Sequence, residues 1–293
     1  FAGGHGTWHG ADVARYSLAT DRWHTDHYAH IPLTFGYFCT GGSYGYGFRP
    51  WMGVHTWGGY NYDTVTKKLV VLTSMPGFTF TYDSDRGRFE RPWSKLPPGG
   101  GSWSCKATTT PEGIVAWTGW RETRPGLWRL DPEKKAWVQL PVKGKLTKPD
   151  IDRSTIVWDS KRKRLLILPA SLKGDVLSCD LEAGEIKSLA PKGREKAAPN
   201  FRDCRYVASQ DLVFEMMGSA YLVEKNEWVK LSVDVTELAK GSRRKKGQSS
   251  RPAAASNSQG LIYDTRRDLL WAVNGYQNKG VFVLKLDADK AGK

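Results

Sequence analysis

Cysteine is scarce: four in 293 residues, too few for a disulfide scaffold and without the paired spacing of a zinc finger. No uninterrupted apolar run approaches the roughly 18 residues that a spanning helix needs. No Pro/Gly/Ser-rich linker divides the chain, which predicts a single domain over 1–293. The opening stretch, FAGGHGTWHG, lacks the charged and apolar regions of a signal peptide. It also lacks an initiator Met, so a processed or excised chain is expected. Acidic residues are in deficit, 30 against 44 Lys and Arg, leaving a formal charge of +14 that attracts anions. With 25% charged and 12% aromatic residues the composition is that of a folded chain, not a disordered one.

What is present is a repeat. The stretch Gly58 to Trp93 holds two apolar runs, Leu69–Leu72 and Phe78–Tyr82, with turn-rich segments Asp63–Lys68 and Asp83–Arg88 and a short strand at each end. That pattern predicts a four-stranded antiparallel meander. Its second half recurs as YSLATDRW (16–23), LDPEKKAW (130–137), CDLEAGEI (179–186) and LVEKNEW (222–228). The first half recurs as VWDSKRKRLLIL (157–168), VASQDLVFEM (207–216) and IYDTRRDLLWAV (262–273), with TTPEGIVAW (109–117) a weaker copy. Meanders repeated every 40 to 65 residues or so cannot bury both faces alone and stack around an axis, the signature of an all-β β-propeller. Four complete blades flanked by partial ones at 1–28 and about 253–287 predict six repeats, with seven as the alternative. The first partial blade lacks its innermost strand and the last its outermost. Trp23, Trp137 and Trp228 are expected between blades.

The segment FAGGHGTWHGADVARYSLATDRW resembles a kelch repeat: an apolar strand ending in a Gly pair, a spacer, a Tyr-bearing strand, then Trp after a short turn. It is similar to the kelch blades of bacterial galactose-oxidase-like proteins. The copper-radical oxidases of that fold carry two His, two Tyr and a Tyr-linked Cys, mainly in later blades. Here all six histidines precede residue 56 and none of those positions finds a match. The resemblance therefore implies the fold without the oxidase activity, and no cofactor is expected.

Chain direction puts the short turns of such blades on one face and the long loops on the other. The long segments are Thr25–Val54, Pro92–Lys106, Gly119–Gly126, Pro141–Arg153, Ala190–Arg205 and Ser232–Ser258, the last read as a basic loop insertion containing GSRRKKGQSSRP. Long loops on a rigid scaffold are where binding resides. Candidate ligand-binding residues on that face are His5, His9, Arg49, Trp51, His55, Arg121, Arg153, Arg202 and Arg251. Arginine at the starts of inner strands, with Lys106 and Arg205, would form a positive rim whose guanidinium forks suit carboxylate or sulfate. Interblade ion pairs to Asp150, Asp152 and Asp203 are the alternative use of those cations. Tyr44, Tyr46 and Trp51 in a Gly-rich loop offer flat rings for a sugar. His24, His27 and His30 supply ligand types without fixed geometry, so no metal site is assigned. The turn face is basic too, at Lys67, Lys68, Arg86, Arg88, Lys134, Lys135 and Lys161–Arg164. Cys39 and Cys105 fall in adjacent interblade segments, whereas Cys179 and Cys204 belong to opposite ends of their strands, which argues against a bond between them.

The expectation is a non-catalytic, monomeric recognition propeller, extracellular or periplasmic, binding an anionic or neutral glycan or a protein loop at the rim. Nucleic acid is not an expected partner. The alternative is an acidic-polysaccharide lyase or hydrolase in which Arg49 neutralises a uronate carboxylate, His55 acts as base, and Tyr44 or Tyr46 as acid. A third class is an assembly role for the incomplete terminal blades. His55 is expected to be a packing residue against Trp57 or the first blade.

Overall fold

The computed structural model describes residues 13–27, 59–72, 77–90, 92–98, 105–118, 126–147, 154–170, 173–196, 204–215, 219–231, 258–274 and 280–287. The chain is all-β, made of the four-stranded antiparallel blades of a β-propeller, and the only helical turn among the described residues is a 3-10 turn at Arg194–Lys196. No described helix is long and apolar enough to cross a membrane. Two compact units, Phe1–Leu140 and Pro141–Lys293, divide it.

The first unit holds a hairpin and two blades. The hairpin pairs β1 (Val13–Ser17) with β2 (Arg22–His27). Blade I comprises β3 (Tyr60–Asp63), β4 (Lys68–Leu72) and β5 (Phe78–Asp83), followed by a fourth strand in two pieces, β6 (Arg88–Phe89) and β7 (Ser94–Lys95), both paired with β5. The break is organised by Glu90, whose carboxylate accepts bonds from Lys68 Nζ, Thr81 Oγ1 (2.8 Å) and Trp93 Nε1 (3.3 Å). Blade II runs β8 (Cys105–Thr110), β9 (Gly113–Thr118), β10 (Gly126–Asp131) and β11 (Ala136–Leu140) in spatial order.

The second unit holds three blades. Blade III is β12 (Thr155–Asp159), β13 (Arg164–Leu168), β14 (Leu177–Cys179) and β15 (Ile186–Ser188). Blade IV is β16 (Cys204–Val207), β17 (Leu212–Glu215), β18 (Ser219–Leu222) and β19 (Glu227–Lys230). Blade V has β20 (Ser258–Asp264), β21 (Leu269–Asn274) and β22 (Gly280–Leu284). The meanders stand where the repeats predict them, and the described residues form five blades where six repeats were expected. The first partial repeat contributes only the two-stranded hairpin among the described residues.

Why these segments turn where they do is visible in the backbone. Among the described residues, six hairpins begin with an aspartate and place the fifth residue in the left-handed region: Lys67 (φ 56°), Gly87 (61°), Lys135 (51°), Lys163 (51°), Gly184 (69°) and Asp268 (56°). The opening carboxylate accepts backbone N–H groups of the turn, as Asp131 does from Glu133 (3.0 Å) and Lys134 (2.9 Å). This Asx geometry replaces the hydrogen bonds that the ladder gives up at its end. In three turns that no aspartate opens, an Asx residue closes the turn and a tyrosine five residues earlier donates its hydroxyl to it, whereas Thr110 serves the β8–β9 turn. Tyr16 does so to Asp21, Tyr206 to Asp211 (2.7 Å) and Tyr221 to Asn226 (2.7 Å). Tyr263 to Asp268 (2.8 Å) combines both devices.

Strand alternation then sends successive residues to opposite sides. In blade IV, Cys204, Tyr206, Val213, Tyr221 and Trp228 pack with Val157, Leu166, Leu168 and Val176 of blade III. Their neighbours Val207, Leu212, Phe214, Ala220 and Val229 pack with Leu261 and Leu270 of blade V. Blades I and II meet through Val70, Leu72, Ala107, Ile114, Ala116 and Leu130. Each fully buried aliphatic side chain contributes roughly 1.5–3 kcal/mol, which is why the blades read as near-continuous apolar runs. Trp137 and Trp228 lie between blades as expected. Trp23 does not: it is 46% exposed and tilts against Tyr16, centroids 5.2 Å apart.

Candidate functional site

The inner strands β12, β16 and β20 of the second unit pack side by side, β12 against β16 and β16 against β20. Their turn ends are tied together. Arg162 donates both terminal nitrogens to Asp211 (2.8 and 2.7 Å) and one also to Asp159 (3.3 Å), which Arg164 Nε bonds as well (3.1 Å). Tyr206 donates to Asp211, and Ser209 Oγ to Asp268 at 2.5 Å. The Arg162 fork holds Asp211 down at about 2, against the pull of burial, with Tyr206 and Lys161 assisting. Burial, with Asp211 next, pushes the Tyr206 hydroxyl far up, so it stays a donor.

This disposes of much of the positive charge expected on the turn face. Arg162, Arg164, Arg86, Lys134 and Arg267 pair with the aspartates of these turns, and Lys68 pairs with Glu90. Arg162, Arg164 and Lys68 are partly buried in these pairs, whereas Arg86, Lys134 and Arg267 form exposed pairs of small energetic weight.

The opposite, loop ends of the inner strands follow the segments in which the candidate residues lie. His5, His9, Arg49, Trp51, His55, Arg121, Arg153, Arg202 and Arg251 all fall outside the described residues, as do Tyr44, Tyr46, Cys39, Asp150, Asp152 and Asp203. What is described there is the seating of the strands. Ser154 and Thr155 open β12 buried, Cys204 opens β16 buried, and Arg205 turns one guanidinium nitrogen onto the Cys204 carbonyl at 2.7 Å. Lys106, expected on a rim, is instead 4% exposed on β8, where the strand pairs it in register with Trp117.

Two features escaped the sequence. Glu215 is 1% exposed at the end of β17, in register with Cys204, and accepts from Ser219 Oγ at 3.2 Å. Its only signal was a carboxylate closing the apolar run Leu212–Phe214. His24, grouped in the sequence with His27 and His30, is an exposed member of β2, and His27 ends the same strand. Cys105, Cys179 and Cys204 are buried thiols outside any disulfide, so no bond joins Cys179 to Cys204. Burial pushes Cys105 and Cys179 up to about 12, which keeps both protonated and unreactive. Among the described residues no group of three or more His, Cys, Asp or Glu could hold a metal ion.

Neither a family model nor a curated protein matches this chain. Its function has to be inferred from the fold and the ordering of its charges.

Proposed function

We propose that this is a recognition propeller of kelch type, without catalysis, whose interblade loops bind an anionic or carbohydrate ligand. One observation carries the reading. Arg162 and Arg164 at the turn end of β12 pair with Asp159 and Asp211, whereas Arg153, Arg202 and Arg251 lie in sequence shortly before β12, β16 and β20, strands that stand side by side. Guanidinium groups delivered by adjacent loops fit carboxylate or sulfate through paired N–H bonds. The Gly-Gly-His opening of the chain, with Tyr16 and Trp23 after it, supports the kelch assignment. An extracellular or periplasmic location agrees with a glycan ligand.

Binding of the intact chain to an acidic and a neutral oligosaccharide, each at two ionic strengths, tests this. Retention of the acidic glycan that weakens with salt is expected, and so is at least tenfold weaker binding on replacing Arg153, Arg202 and Arg251 by Ser. A tenfold loss corresponds to about 1.4 kcal/mol. Absence of binding to either glycan sinks the reading. Unsaturated products absorbing in the ultraviolet after incubation with a uronate polymer would instead establish the lyase.

A further inference from the structure

The hairpin turns that an aspartate opens, at 63–67, 83–87, 131–135, 159–163, 180–184 and 264–268, divide their work by position. The fourth residue serves the opening carboxylate. Arg86, Lys134, Arg162 and Arg267 each pair with the aspartate three positions back, and Thr66 Oγ1 bonds Asp63 at 2.6 Å. The fifth residue takes the left-handed backbone, which glycine adopts freely and other L-residues resist. Gly87 and Gly184 follow that rule, and Asp268 is held there by the hydroxyls of Ser209 and Tyr263.

The other three fifth residues, Lys67, Lys135 and Lys163, follow neither course. Each is exposed, and among the described residues none of them has an ion pair or a side-chain hydrogen bond. Glycine fills the same position in blades I and III, so the turn itself gives no reason for a lysine. A strained residue that no internal contact holds in place points to an external one.

Antiparallel meanders put the inner and outer turns of a blade at the same end. In the first unit, Thr109 Oγ1 bonds the Tyr62 carbonyl at 2.8 Å, which joins the turn ends of blades I and II and so the ends that carry Lys67 and Lys135. In the second, Lys163 follows the Arg162 that joins blades III and IV, and the Ser209–Asp268 bond extends the join to blade V, whose turn adds an exposed Arg266. Nowhere do two carboxylates stand side by side in the sequence, so these 293 residues hold no acidic run suited to cover such cations.

We propose that these turn ends bind a sulfated polysaccharide, on a surface separate from the interblade loops. The forks of Arg86, Arg162 and Arg267 are taken by turn aspartates, so the available groups are chiefly ammonium, point charges whose three donors fit a sulfate ester without a fixed orientation. A compact anion needs donors converging on one point, whereas lysines on separate turns suit a long chain charged at intervals. None of the six turns contains an aromatic residue, so they offer no platform for stacking the bases of a single-stranded nucleic acid.

The probe is immobilised dextran sulfate, to which the intact chain is titrated at several salt concentrations, with thermal melting followed in parallel. Saturable binding that weakens with salt is expected. Lys67→Gly, Lys135→Gly and Lys163→Gly together should weaken it about tenfold or more. The slope of log K against log salt should flatten by about 2–3, the loss of three charge contacts. Melting should hold or rise, because glycine takes the left-handed backbone without strain. Arginine at the same three positions should keep the binding. In a chain that already carries Arg153→Ser, Arg202→Ser and Arg251→Ser, the glycine changes should produce the same fold loss, so this surface and the loop face fail separately. No binding of dextran sulfate, or equal affinity and salt slope in the glycine variant, overturns the proposal. A lowered melting temperature does so too, because it would give the lysines a role in the fold. Tighter binding of a single-stranded DNA oligonucleotide or of phosphatidylserine vesicles at the same salt overturns the choice of occupant.

Discussion

The junction of blades III and IV and the junction of blades I and II bury similar apolar residues but are pinned differently. In the first, Arg162 bridges two aspartates, Asp159 and Asp211, that are both buried, and Tyr206 adds a hydroxyl. In the second, the pins are neutral: Trp137 Nε1 to Thr79 Oγ1 at 2.7 Å and Thr109 Oγ1 to the Tyr62 carbonyl at 2.8 Å. A buried ion pair is costly to break because one charge is left behind, whereas a neutral bond costs only its modest net contribution. The two junctions should therefore respond differently to the same kind of damage.

The largest effect is expected for Asp211→Ala, which leaves the Tyr206 hydroxyl without its acceptor and the partly exposed Arg162 guanidinium with Asp159 alone. A loss of about 2–3 kcal/mol is anticipated, read by denaturant unfolding and by amide exchange in β12 and β16. A loss below about 1 kcal/mol would show the network to be surface decoration. Acid separates the junctions next. Asp211 titrates at about 2 when folded, below the ordinary aspartate value of 3.8. Its contribution is fully present above about pH 4 and is lost as pH falls toward 2, because the unfolded chain takes up the proton first. Exchange should therefore quicken in blades III and IV over that window before it does at the Thr79–Trp137 contact, which has no titrating group. Simultaneous loss would break the contrast.

Trp137→Phe keeps an aromatic ring and deletes the donor, so about 1 kcal/mol is expected, independent of pH between about 3 and 7. Tyr206→Phe should cost about 1–2 kcal/mol, since its acceptor is buried and charged, as a double-mutant cycle with Arg162 can establish. The smallest effect is a gain. Lys163 holds φ at 51°, and Lys163→Gly relieves a left-handed strain that exceeds the added chain entropy, for a stabilisation of about 0.5 kcal/mol in thermal melts. Destabilisation instead would mean that the lysine makes a contact worth more than its strain.

By itself the sequence determined the meanders. Asp–x–x–x–Lys/Gly turns and period-two apolar runs are local features, with partners within a few residues, so residue pattern alone places β3 to β5, β12 to β13 and β20 to β21. The candidate site was legible only as residue types in long segments, because loops carry no periodicity that fixes where Arg153 or His55 points. Tertiary structure decided what depends on a second blade. It made Arg162 a clamp for an aspartate 49 positions away, buried Lys106 and Glu215, and left Trp23 in the open. Charge, in a sequence, is only a count; whether a cation binds a ligand or a neighbouring blade depends on which carboxylate the fold sets within about 3 Å of it.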